Sequence, residues 1–247
     1  MHSRFGQAFH RAFLEPGSPG RVWRWGLLVA AVAALLWSVF RADALMERWV
    51  KRSGSPAVDP WAQALSDSAK GHWVLGAGVL GFAVARWFRR RDWQRLGVIA
   101  ILSTALGGGS ATVVRGLTGR TRPSNPVEQG WFGPYHNGQW LVGRHAYNAF
   151  PSGHAGTAAA FAFALVLARR RLGWIALAWM AGVCWSRMYL SAHRFSDVFV
   201  GSLFGLISAW WVHEWVARRW PPASPDSAPD AGLGSRPGPD APEVRSP

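Results

Sequence analysis

The sequence predicts an all-α integral membrane bundle of six transmembrane helices with both termini in the cytoplasm. Three observations carry that reading. Hydrophobic residues make up 49% of the 247 residues and charged residues 16%, against about 25% charged in an ordinary soluble domain. Tryptophan occurs 17 times, too often for a routine core but suited to a bilayer interface, where indole rings anchor. The arginines punctuate apolar runs at intervals, as topology signals do. A formal charge of +14 distributed in this way argues against a nucleic-acid partner, which calls for one basic face or arm. Cys184 is the single cysteine and sits in an apolar run, so neither a disulfide framework nor a cysteine metal site is expected.

Runs of about 20 apolar residues mark membrane-crossing helices. Six candidates follow in order, at residues 25–41, 72–88, 96–114, 154–168, 172–190 and 197–217. Residues 1–24 read as a cytoplasmic arm, and the first run as a retained helix, because no small-residue cleavage site follows it. The fourth span is short but free of charge, and its alanines and glycine permit close helix packing. Gly107, Gly108 and Gly109 in the third span read as packing residues. Residues 42–71 read as an outer loop, with Trp61 to Lys70 an amphipathic helix on the membrane surface. The membrane domain thus covers residues 25–219. Residues 220–247, dominated by Pro, Ser, Ala, Gly and Asp, read as a disordered tail.

Charge assigns the sides. One side collects Arg4, Arg11, Arg21, Arg24, Arg86, Arg89, Arg90, Arg91, Arg95, Arg169, Arg170, Arg171, Arg218 and Arg219 against only Glu15, Asp92 and Glu214. The positive-inside rule makes that side cytoplasmic. Three polar cassettes then fall at the outer ends of spans three to six.

The first cassette runs Arg115-Gly116-Leu117-Thr118-Gly119-Arg120-Thr121-Arg122-Pro123. Alone it reads as a basic turn at a membrane edge. The second is Pro151-Ser152-Gly153-His154. Its residues are helix-start signals with Ser152 as N-cap, and free N–H groups at a helix start bind anions. A merely capped helix with an interfacial histidine fits it equally well. The third cassette runs Ser186-Arg187 to His193 and Asp197. A carboxylate four residues from an imidazole can fix its tautomer and leave the other nitrogen free to attack, although Asp197 could simply cap the sixth span. Arg187 near the end of an apolar run needs an anionic partner, and phosphate is a natural one.

Taken together, the three cassettes resemble the signature of type 2 phosphatidic acid phosphatases. That superfamily also includes undecaprenyl-diphosphate phosphatases and lipid A phosphatases. The pattern is a basic residue, six residues, then Arg-Pro; later Pro-Ser-Gly-His; later Ser-Arg, five residues, His, three residues, Asp. Residues 115–197 carry it in order, and the six-span frame extends it to about residues 25–217. The resemblance implies a lipid phosphatase acting at the outer face of the membrane. His193 would be the nucleophile that forms a phosphohistidine, Asp197 would orient it, and His154 would be the general acid. Arg115, Arg122, Ser152, Gly153 and Arg187 would bind phosphoryl oxygens. It implies no metal and no cofactor. One position departs from the pattern: Arg115 stands where the family usually has lysine, so a planar fork replaces a point charge. Arg120, Arg144, Arg194, His136 and His145 are polar residues near the site but outside the signature.

The implied substrate is a lipid phosphate or diphosphate such as undecaprenyl diphosphate, phosphatidate or a phosphorylated glycolipid. A phosphotransferase using the same phosphohistidine is the alternative. A non-catalytic lipid-binding protein ranks lower, because both the nucleophile and its carboxylate are present. A transporter also ranks low, because the polar residues gather at one face.

Overall fold

A computed structural model of the chain describes residues 21–52, 55–168 and 170–220. The expected N-terminal arm up to residue 20 and the expected tail from residue 221 lie outside the described residues. Among the described residues the α-helices are α1 (Arg21–Arg52), α2 (Asp59–Ser68), α3 (Gly71–Trp87), α4 (Arg91–Thr118), α5 (Gly153–Ala168), α6 (Arg170–Tyr189) and α7 (Phe195–Arg219).

Five of the six expected spans match a helix to within a few residues. The first does not end at residue 41: α1 continues to Arg52, so residues 42–52 are helix rather than loop. The reason is a partner. Asp43, which reads from sequence as the start of a polar loop, is buried and paired with Arg120, so the helix need not stop to give it water. The short α2 follows, with Asp59 in its first turn and Pro60 at its start, where a missing N–H costs nothing. It packs on α6 through buried Ala62 and Ser66.

The centre of the bundle is α5, which packs against α4, α6 and α7. Its alanines make this possible: Ala155, Ala158, Ala159, Ala160, Ala162 and Ala164 are all fully buried. Glycines on the neighbouring helices bring the backbones into contact. A Cβ on Gly205 of α7 would lie 2.5 Å from the Ala160 nitrogen, and one on Gly107 of α4 would lie 2.8 Å from Ala160 Cβ. Such small-residue crossings pack membrane helices closely. Gly107 and Gly108 are therefore packing residues, while Gly109 faces open space.

By length and composition, three helices can cross a membrane (Trp25–Val50 within α1, then α4 and α7), and α5 is a shorter apolar helix. Large apolar side chains such as Leu27, Val29, Trp37, Leu80, Val113 and Ile207 lie exposed on the outer surface. Patches of that kind mark a surface that a bilayer covers.

One departure from a purely helical fold lies between α4 and α5. Strands β1 (Tyr135–His136) and β2 (Gln139–Trp140) form a small antiparallel pair. Asn137 and Gly138 both take positive φ, 47° and 75°, which is what an Asn-Gly hairpin turn requires.

Candidate active site

The helices alternate in direction, so the C-termini of α4 and α6 and the N-termini of α5 and α7 meet at one end of the bundle. That brings the three cassettes together. Gly119 ends α4 in the left-handed conformation, φ 59°, and a Cβ there would strike the backbone of Gly133. This close approach pairs Arg120 with Trp131 across a β-bridge and turns the arginines of the cassette inward.

His193 lies in the short turn between α6 and α7, held by its backbone N–H on the Arg187 carbonyl at 3.2 Å. Its side chain is fully buried. Nδ1 lies 2.7 Å from the Ala149 carbonyl oxygen, so it carries the proton and donates. The nearest Asp197 oxygen is 3.7 Å from the same nitrogen, beyond hydrogen-bond length, so Asp197 acts on His193 as a neighbouring charge. Among the described residues Nε2 has no hydrogen-bond partner. Burial pushes the imidazole down to about 4, opposed by Asp197 and reinforced by Arg187 and Arg122. Neutral His193 thus presents a free Nε2 lone pair at ordinary pH.

His154, the half-buried second residue of α5, lies within electrostatic reach of Arg187, His193, Arg115 and Arg122. Ser152 is the N-cap of α5. Its hydroxyl accepts from the Ala155 N–H at 3.4 Å, and its own N–H donates to the Asp197 carbonyl at 2.9 Å. Gly153 faces Arg115: a Cβ there would lie 3.2 Å from Arg115 Nη1. Arg122 and Arg187 are both buried. Arg122 makes only long contacts, from Nη2 to the backbone and side-chain oxygens of Asn148 at 3.3 and 3.4 Å. Arg187 donates from Nη1 to Ser66 Oγ at 2.5 Å. Among the described residues the Nε of each has no hydrogen-bond partner. Burial, then the charges of Arg187 and Arg115, pull Arg122 down to about 10, which still leaves it cationic. Three guanidiniums therefore act on His154 and two of them, Arg122 and Arg187, also on His193, and among the described residues no carboxylate is bonded to any of the three.

Several residues that sequence reasoning left aside hold this arrangement. Arg120 donates from Nη1 to Asp197 at 2.5 Å and to Ser196 at 2.6 Å, and from Nη2 to Asp43 at 2.8 Å. Its guanidinium stacks on Trp131, Phe40 and Phe150. Asp43 also accepts from the backbone N–H and the hydroxyl of Ser196, at 2.7 Å each. Asp197 caps α7 by accepting from the Arg194 N–H at 2.7 Å. The Arg194 guanidinium reaches Thr121 O and Gln129 Oε1. Of the other extra polar residues, Arg144 pairs with Gln139 and His136 stacks on Phe132. His145 borders the cradle, its imidazole held below the usual range first by Arg122 and then by burial. A charged residue just past an apolar run (Asp43) and an arginine inside the first cassette (Arg120) were the available signals. Nothing in their spacing pairs them. Among the described residues, no three His, Cys, Asp or Glu side chains gather as a metal site would require.

The sequence model of the PAP2 superfamily matches residues 96–221, from the first turns of α4 through α7. The chain belongs to the PAP2 superfamily. Two curated relatives, both named lipid A 1-phosphatase, are 34% identical over 114 residues, or 44% of this chain. One is from Rhizobium johnstonii and the other from Rhizobium etli, and the matches span 43% and 46% of them. The chain thus spans less than half the length of these relatives. Among solved structures, it is similar to LpxE of Aquifex aeolicus at 20% identity and TM-score 0.51, over 70% of this chain and 94% of that one. It is also similar to a PAP2-type phosphatidylglycerolphosphate phosphatase of Bacillus subtilis at 22% identity and TM-score 0.56, over 77% and 92%. At these identities the two structures speak for the fold. With its apolar helices, this PAP2 chain is a membrane protein, and its three polar cassettes lie at one end of the bundle.

Proposed function

We propose that the chain is an integral-membrane lipid phosphatase working through a phosphohistidine, with its site on the outer face of the cell membrane. One observation carries the reading: among the described residues the buried Nε2 of His193 has no hydrogen-bond partner while Nδ1 is pinned, and the Arg122 and Arg187 guanidiniums act on that imidazole. Six crossings, by α1 and α3 to α7, belong to this reading; α1, α4 and α7 have the length and apolar composition for one, and the arginine count favours a cytoplasmic side for both ends of the domain.

In this mechanism Arg115, Arg122 and Arg187, with the N–H groups at the start of α5, hold the phosphoryl oxygens. The Nε2 lone pair attacks phosphorus and the bond to the lipid oxygen breaks. His154 gives that oxygen its proton. Water then attacks the phosphohistidine and passes a proton to His154, and the P–N bond breaks to release phosphate and neutral His193. The arginines offset the charge that builds on the equatorial oxygens. No step calls for a metal. Arg120 and Asp43 act through Asp197 as positioning residues.

The substrate is a lipid phosphate or diphosphate. The names of the 34% identical relatives favour a phosphorylated glycolipid, with undecaprenyl diphosphate and phosphatidate as the comparison substrates. The decisive measurement is phosphate release by the purified protein in detergent with EDTA, across those three lipids. Turnover should persist in EDTA and vanish in His193→Ala. Phosphate appearing on a second lipid instead of in solution would favour the phosphotransferase reading, and full activity in His193→Ala would sink both.

A further inference from the structure

The opposite end of the bundle carries a second cationic feature. α4 runs from Arg91 at that end to Thr118 beside the cradle, 28 residues, or about 40 Å at 1.5 Å per residue. At the turn between α3 and α4, Arg86, Arg89, Arg91, Gln94 and Trp220 line a notch of about 500 Å³. Among the described residues no carboxylate lines it and none of these arginines takes part in an ion pair. A second groove, of about 540 Å³, shares Arg86 and Arg89 with the notch and continues along α3 over Val79, Phe82, Ala83 and Trp87. The backbone supports the junction. α3 closes with the Arg90 N–H on the Ala85 carbonyl at 2.8 Å, which puts Arg89 in the left-handed conformation, φ 54°. Glycine takes that position at lower cost, yet arginine stands there, and it borders both grooves.

We propose that notch and groove form one site for a phospholipid with an anionic headgroup. Arg86, Arg89 and Arg91 hold the phosphate, Trp220 lies beside it at the interface, and an acyl chain runs along Val79, Phe82, Ala83 and Trp87. Three guanidiniums lining one notch suit an anion able to bridge them. A phosphate alone answers only the polar half, since the contiguous apolar groove calls for a chain attached to it. A zwitterionic choline headgroup brings a cation to the same arginines and is disfavoured. This site is independent of the reaction proposed at the other end of the bundle.

The test uses the full-length protein, purified in detergent and stripped of lipid, with its thermal midpoint read during titration. Phosphatidylglycerol should raise the midpoint saturably, while phosphatidylcholine leaves it unchanged and inorganic phosphate, which the proposed reaction site also takes, gives no shift that depends on Arg86 and Arg91. The double variant Arg86→Gln/Arg91→Gln should lose the shift and keep the parent's lipid-phosphate turnover. Ala83→Trp, at an exposed position, fills the apolar groove and spares the charges; it should raise half-saturation by about tenfold. An undiminished shift in the double variant places the lipid elsewhere and overturns the proposal. So does a full shift from inorganic phosphate that the double variant loses, which reduces the notch to an anion site, or an equal shift from phosphatidylcholine.

Discussion

Arg120 and Arg122 stand two residues apart in one cassette and are equally buried, each 6% exposed, yet they differ in what surrounds them. Arg120 is closed: two carboxylates and a serine take its donors, and aromatic rings cover its face. Arg122 is open, with two long contacts to Asn148 and a bare Nε. Burying a charge is expensive unless it is paired, so an open buried guanidinium implies a ligand and a closed one implies scaffolding. The same division runs through the whole site. Asp43, Arg120, Ser196, Asp197 and Arg194 form a satisfied half, and Arg122, Arg187 and His193, each with a buried unpartnered nitrogen, an unsatisfied one, beside which Arg115 and His154 stand.

Four substitutions and one pH series sharpen or break that division. The largest effect belongs to the open half: His193→Ala should lower kcat by about 10⁴-fold or more with little change in thermal midpoint, read by phosphate release and unfolding in detergent. Next comes Arg120→Leu, which strands Asp43 and Asp197. Stability should fall by about 3–5 kcal/mol; a well-folded but inactive variant would place Arg120 with the ligand-binding group instead. Arg122→Ala should do the reverse, costing about 10²–10³-fold in kcat/KM while the midpoint holds or rises, because a buried unpaired charge has gone. If the midpoint collapsed, Arg122 would belong with the scaffold.

The pH series addresses His193. Its folded value, about 4, lies below the usual 6.5, so between these values the folded chain binds fewer protons than the unfolded one. Stability therefore rises with pH across that window and is fully recovered above it. On lowering the pH from about 6.5 to 4, the parent should lose up to about 3 kcal/mol that His193→Gln does not lose. Parallel pH curves would mean that the imidazole is not buried as a neutral ring. The smallest effect is expected for Asp43→Asn, an isosteric change that keeps an oxygen facing Arg120. It should cost about 1–3 kcal/mol of stability and lower kcat without moving KM, a split that mere loosening of α1 would not produce.

The site's open half is legible in the amino-acid sequence, because helix-start signals, histidines and arginines at the ends of apolar runs each state a local requirement. Asp197 is legible too, although both of the jobs weighed for it meet in one residue: it caps α7 and lies near His193. The closed half is not legible. Asp43 lies on a helix that hydropathy ends at residue 41, and its partner Arg120 is 77 positions away. Ala149, which accepts from His193, contributes only a carbonyl, and a carbonyl carries no side-chain signal. The Asn137-Gly138 hairpin could have been read from its turn residues, but it falls in a loop too rich in aromatics and glycine for a period to stand out.

By itself, the sequence determined the apolar spans, the charge asymmetry between their ends and the residue types of the three cassettes. These are local or summed properties: hydropathy over one helix length, arginines counted by side, spacing within a dozen residues. Only the tertiary structure decided which buried arginine is paired and which is free, and which oxygen holds His193. Those outcomes depend on how α1, α4, α5 and α7 cross. Glycine and alanine contacts set the crossing at ångström scale, and a pairing energy that falls off over a few ångströms follows the crossing rather than the spacing along the chain.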